Sequence, residues 1–215
     1  MPIMLNRLLL FSLFGLAAVM AWQFRQRLYE DKRQLAITFD ADTAGTVFLS
    51  WHHEIKLPMA KLMYDAFNEQ RDRVRRIVID LDSPGGSLNE GQAVIELIAD
   101  MKKTHQVDTR VAATHDCLSM CVPIFLQGEK RMAAASSRWM FHEPRAVDYF
   151  SGDDIKKPEF EKKYHSQHYL DKYFRNSPIN QDWLAATQPQ WQGRDVWRSG
   201  RQLFDENSNI INELL

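Results

Sequence analysis

An apolar run that ends in a proline–diglycine turn constrains this 215-residue chain more than any other feature. It reads Val74-Arg75-Arg76-Ile77-Val78-Ile79-Asp80-Leu81, followed by Asp82-Ser83-Pro84-Gly85-Gly86. A nearly continuous apolar strand is the pattern of a strand covered on both faces. Beyond the turn, Ser87 or Asn89 can cap a helix running to about Lys103, with Ala93, Val94, Leu97, Ile98 and Met101 turned inward. The unit then returns. Residues 107–113 read as a strand and 114–118 as a turn, and a helix begins near Ser119 and ends near Gln127, with Gly128 as its stop. Pro123 falls where first-turn amides have no intrahelical partner. Strand–turn–helix units on short connections imply an α/β fold with parallel pairing, and such folds bind ligands at the carboxyl ends of their strands. Gly85-Gly86 and Ser119 both stand at such ends.

The remaining pattern is consistent with one domain. Residues 34–39, 45–51, 131–135, 138–141 and 194–197 read as strands, and 56–69, 159–174 and 180–186 as helices. Residues 147–158 are polar and irregular. Ser199 caps a last helix that Asn207, tolerant of a left-handed conformation, can stop. The net charge of −1, with Lys and Arg scattered among Asp and Glu, excludes a nucleic-acid surface. The one basic cluster, residues 71–76, reads as a solvated helix end. The amino terminus is a separate object. Residues 8–22 are apolar and uncharged behind Arg7, which suits a single-pass transmembrane segment or signal anchor over 1–24 and a polar linker over 25–34. Cleavage near Ala21 is the alternative; Trp22 and Phe24, as interface residues, favour retention. The domain then spans 35–215.

Two cysteines, Cys117 and Cys121, flank Ser119. They read either as a short-loop disulfide in an oxidising compartment or as two small buried hydrophobes. Only His115 lies near them, so zinc is not expected.

The chemistry rests on three pieces. A serine hydroxyl needs a base to become a nucleophile, and Ser119 sits where unpaired amides can meet an oxyanion. The plain alternative makes Ser119 a helix cap. His142 follows the strand end Trp139-Met140-Phe141, precedes Glu143-Pro144, and has a pKa suited to proton transfer near neutrality. The plain alternative is a core histidine bonded to backbone. His52, His53, His105, His115, His165 and His168 fall in linkers or on a charged helix and read as solvated. Neither Gly85 nor Gly86 has a side chain to bar a substrate carbonyl from bare backbone amides.

Asp82-Ser83-Pro84-Gly85-Gly86, Leu118-Ser119-Met120 and Met140-Phe141-His142-Glu143-Pro144 together resemble, in order and spacing, the motifs of the proteolytic subunit of the Clp protease. The resemblance is strongest over residues 76–144 and is closest to membrane-anchored or periplasmic bacterial Clp-like proteins. It implies a crotonase-type spiral of ββα units and a serine peptidase that cleaves peptides or unfolded protein through an acyl-enzyme. It implies Ser119 as nucleophile, His142 as general base, and the amides of Gly86 and Met120 as the oxyanion hole. Asp195, in the context Asp195-Val196-Trp197-Arg198-Ser199, matches the family's triad acid, with Asp171 and Asp182 as rivals. No metal or organic cofactor is implied. The implied setting is the membrane, with the domain on the periplasmic side. The implied partners are a peptide substrate, a separate unfoldase since no phosphate-binding loop occurs here, and further copies of the chain. The family assembles into rings through a helix after the catalytic histidine, and residues 159–174 carry Phe160, Tyr164, Tyr169, Tyr173 and Phe174 in that place. Two residues depart from the family: Cys121 replaces a small glycine, and Pro123 stiffens the nucleophile's helix. They leave open the rival reading of a silent peptide-binding or assembly module.

Overall fold

Strand β3 (Arg76–Leu81) lies at the centre of the molecule. In the computed structural model, which describes residues 19–20, 34–145, 155 and 158–215, it is the third strand of a six-stranded sheet. The sheet order is β1 (Leu35–Phe39), β2 (Thr46–Trp51), β3, β4 (Gln106–Val111), β6 (Arg131–Ala133) and β9 (Glu213–Leu214). Every pair is parallel except β1–β2. A second sheet holds β5 (Asp116–Leu118), β7 (Arg138–Phe141) and β8 (Val196–Ser199), with β5–β7 parallel and β7–β8 antiparallel. The anchor and linker expected over residues 1–34 lie outside the described residues except for Val19, Met20 and Gln34. Among the described residues, no helix is long and apolar enough to cross a membrane.

The alternation of β3 accounts for its two faces. Ile77, Ile79 and Leu81 join a buried cluster with Leu49, Met63, Val94, Ile98 and Phe125. That cluster is supplied by α1 (Met59–Gln70), α2 (Leu88–Met101) and α3 (Cys121–Phe125). Each such side chain contributes about 1.5–3 kcal/mol when fully buried. The other face carries Val78 and Asp80, both buried. It is covered by charge rather than by apolar packing. Arg76 Nε donates to Asp108 across 2.6 Å, and Arg110 Nε to Asp80 across 2.7 Å. The strand is buried on both faces, as its apolar run suggests, and ion pairs close one of them. Arg76, grouped by sequence with a solvated helix end, belongs to this network.

Ser87 caps α2 by accepting from the Glu90 amide. Glu90 in turn accepts from the Ala60 amide at the start of α1 across 2.7 Å, which locks the two helices at their shared end. The second half of the domain adds α4 (Glu159–Leu170), a π-helical turn (Asp171–Arg175), α5 (Gln181–Thr187) and α6 (Gly200–Asp205). Ser199 and Gln202 form the capping box of α6, and Asn207 stands just past its end at φ +55°.

The main departure from the sequence reading lies at residues 114–118. They contain strand β5 as well as a turn. Three residues show no periodicity to read, and the strand's partner β7 is more than twenty residues away. Helix α3 is correspondingly shorter than expected, and it starts after Ser119.

Candidate active site

The turn after β3 is fastened on two sides. On one, the Ile55 amide donates to Gly85 O and the Ser87 amide to Ile55 O, each across 2.7 Å. On the other, the Ser83 amide donates to Asp116 O across 2.8 Å and the Leu118 amide to Ser83 O across 3.0 Å, which zips the turn onto β5. The approach is close. A Cβ on Gly85 would come within 2.7 Å of both Leu118 O and Ser119 Cβ, and one on Gly86 would collide with Ile55 O. Both glycines have positive φ, +91° and +142°, so the site demands glycine for backbone conformation as well as for space.

Ser119 follows β5 directly. Its φ is +52°, in the left-handed region that a serine rarely adopts. Such a residue costs on the order of 1–3 kcal/mol and persists where its surroundings fix it. Here the Ser119 amide donates to Met140 O across 2.9 Å, and a disulfide between Cys117 and Cys121 brackets the turn from both ends. Both cysteines are fully buried, and of the two readings of the pair the disulfide is the one formed. The Ser119 side chain does not cap α3. Among the described residues, neither the Gly86 nor the Met120 amide donates to another protein group. These two N–H groups flank the serine turn without a protein acceptor; Gly86 is exposed and Met120 is buried.

The register of the second sheet delivers the histidine. Leu118 pairs with Met140, so Ser119 and His142 emerge together from the ends of parallel strands. The Ser119 hydroxyl lies 2.7 Å from His142 Nε2. With Nε2 accepting, the proton of the neutral ring sits on Nδ1. Register also brings Asp195 alongside, since Phe141 pairs with Val196. Asp195 Oδ1 stands 3.6 Å from His142 Nδ1, beyond hydrogen-bond reach. Nδ1 is buried and has no partner. The carboxylate is engaged elsewhere: Arg145 Nη2 donates to the same oxygen across 2.6 Å. Burial pushes the His142 pKa below its ordinary value, the Arg145 charge lowers it further, and Asp195 only partly opposes them. Of the rival acids, Asp171 pairs with Arg175 and Asp182 sits in the first turn of α5.

Sequence reading therefore names Ser119, His142, Gly86, Met120 and Asp195, and the structure brings them to one place. It misses Arg145, whose partner is fifty residues away. It also misses the tie formed by Glu143, which accepts from Ser166 in α4 across 2.8 Å and from the Gly193 amide across 3.3 Å. Of the histidines read as solvated, His52, His53, His165 and His168 are exposed, while His105 and His115 are half-buried, and three of the six are tied into the fold. His52 Nε2 is 3.0 Å from the buried Asp80, His105 Nε2 meets Arg71 O at 2.8 Å, and His115 has its Nδ1 shielded from solvent. Their partners lie on other strands and helices, which the local sequence does not reveal.

Residues 41–183 match the family model of the Clp protease. No curated protein matches the chain. Among solved structures, a point mutant of ClpP1 from Listeria monocytogenes aligns with a TM-score of 0.50 over 78% of this chain and 90% of that one, at 18% identity. At that identity the likeness is one of fold.

Proposed function

The chain belongs to the Clp protease family, and on that premise we propose that it is a serine peptidase. It would cleave peptides or unfolded protein through an acyl-enzyme. The observation that carries this reading is the 2.7 Å separation of the Ser119 hydroxyl and His142 Nε2 beside two free backbone amides. In the proposed reaction His142 takes the hydroxyl proton as Ser119 Oγ attacks the substrate carbonyl. The oxyanion that forms is met by the N–H groups of Gly86 and Met120. His142 then returns the proton to the leaving amine, the bond to nitrogen breaks, and an ester remains on Ser119. Water, deprotonated by the same imidazole, releases the acid. Asp195 is the orienting acid in this scheme. It must come within hydrogen-bond distance of Nδ1, which a carboxylate with two acceptor oxygens can do while still holding Arg145.

The 3.6 Å gap to Nδ1 favours a second reading, a silent peptide-binding module in which Asp195 stays on Arg145 and leaves the imidazole unsupported. Hydrolysis of a short-peptide mixture or of denatured casein decides between them. The peptidase reading expects turnover by the full chain and a loss of at least about 10⁴-fold in Ser119→Ala. Turnover that survives in Ser119→Ala, or none in the wild type, overturns it.

The Cys117–Cys121 disulfide supports an oxidising, extracytoplasmic setting for the domain. The amino-terminal segment would then tether it to the membrane. The exposed Phe160 and Tyr164 of α4 support association with further copies of the chain.

A further inference from the structure

We propose that His52, Asp80 and His115 form a binding site for a divalent transition-metal ion of the zinc type, at a position apart from the serine site. The three come from different parts of the fold. His52 follows the end of β2, Asp80 lies in β3, and His115 immediately precedes β5. One ring nitrogen from each histidine and one carboxylate oxygen lie within 4.8 Å of one another. His52 Nε2 is 3.0 Å from Asp80 Oδ2, and the two imidazoles meet edge to face with centroids 4.8 Å apart. His115 Nδ1 is shielded from solvent and has no hydrogen-bond partner. A buried ring nitrogen left unpaired costs free energy unless something occupies it, and a cation bound at that nitrogen would relieve the cost.

The donor set selects the ion. Two imidazoles and one carboxylate suit zinc or its neighbours, which bind such nitrogens at about 2.0–2.1 Å and accept four ligands. For four ligands at that length, neighbouring donors stand about 3.4 Å apart, so small ring rotations close the set. His52, with a side chain 42% exposed, leaves the fourth position to water. Arg110 holds the other oxygen of Asp80 across 2.7 Å and offsets its charge. That disfavours calcium and magnesium, which ask for several oxygen ligands. The ion's role is mechanical. Asp80 lies in the six-stranded sheet, His52 just past the end of its strand β2, and His115 just before the strand that leads to Ser119, so the ion pins one sheet to the other. The three residues of β5 span about 10 Å of extended chain, which keeps the ion away from the reacting alcohol.

The test uses the full chain, stripped with a chelator and titrated with zinc sulfate alone, with bound metal counted by elemental analysis. The proposal expects one tight site per chain and a higher melting temperature with zinc than without. His52→Ala and His115→Ala should each weaken binding by about a hundredfold or more and abolish the zinc-dependent rise in melting. Either variant in chelator should melt close to the stripped wild type, which shows that the fold survives. A His165→Ala/His168→Ala variant, altered on α4, should bind as the wild type does. No zinc bound by the wild type, or equal binding in the His52 and His115 variants, overturns the proposal. Either result stands whether or not the chain hydrolyses peptides.

Discussion

At the scale of single residues, Arg145 bears on the part that the proposed reaction gives to His142. Its guanidinium holds Asp195 and adds a positive charge near an imidazole that burial already keeps neutral. A histidine with a lowered pKa stays unprotonated into mildly acid solution, so a reaction that needs the neutral ring keeps its rate below the ordinary histidine pKa of about 6.5. Arg145→Ala removes one of the two causes of that lowering and frees Asp195 to approach Nδ1. Both changes raise the pKa. The acid limb of the rate–pH profile should therefore move to higher pH in the variant, while the plateau rate rises because the imidazolium is now supported. Hydrolysis rates measured across the acid range check this. An unshifted limb would mean that Arg145 does not act on His142. Ser119 and His142 were legible in the sequence because each sits in a short motif whose neighbours set its local backbone. Arg145 was not, since its meaning depends on a carboxylate that only the β7–β8 register brings near.

At the scale of elements, the site depends on how the turn between β5 and α3 is held. Ser119 has an unfavourable backbone conformation, and the Cys117–Cys121 disulfide spans it with a sequence separation of four. Closing so short a loop constrains the unfolded chain by about 2 kcal/mol, and in the folded state the same link keeps Leu118-Ser119-Met120 from relaxing. Cys117→Ala/Cys121→Ala should lower unfolding free energy by about that amount in denaturant titration. Hydrolysis should fall more than the loss of folded protein explains. A variant with wild-type turnover would show that the hydrogen bond to Met140 O suffices alone. Element identity was largely readable: β3, its diglycine turn, the Ser87 cap of α2 and the Ser199 cap of α6 follow from local chemistry. What escaped was β5, too short for a period of its own, together with the ionic cover on the second face of β3. Arg76, Asp80, Asp108 and Arg110 look like surface charges until neighbouring strands pair them.

At the scale of the whole molecule, the aromatic residues near α4 divide into two groups. Tyr169, Tyr173 and Phe174 are buried in the domain's own core, packed edge to face around one another and against Trp191. Phe160 and Tyr164 remain 74% and 69% exposed. The sequence showed five aromatics in one helical stretch and could not separate them, because burial here is decided by Trp191 and the π-helical turn. If copies of the chain associate through this helix, Phe160 and Tyr164 carry the contact. Phe160→Ser/Tyr164→Ser should then sediment as a smaller species than the wild type at equal concentration while melting at the same temperature. A wild type that is already monomeric would remove assembly from the account.

The account as a whole depends on Ser119 being a nucleophile activated by His142, and a fluorophosphonate reports this directly. Intact-protein mass followed by peptide mapping should show a single adduct on the peptide containing Ser119. The adduct should form far more slowly in His142→Ala and be absent in Ser119→Ala. An unmodified wild-type chain, or an adduct that persists in Ser119→Ala, would contradict the account.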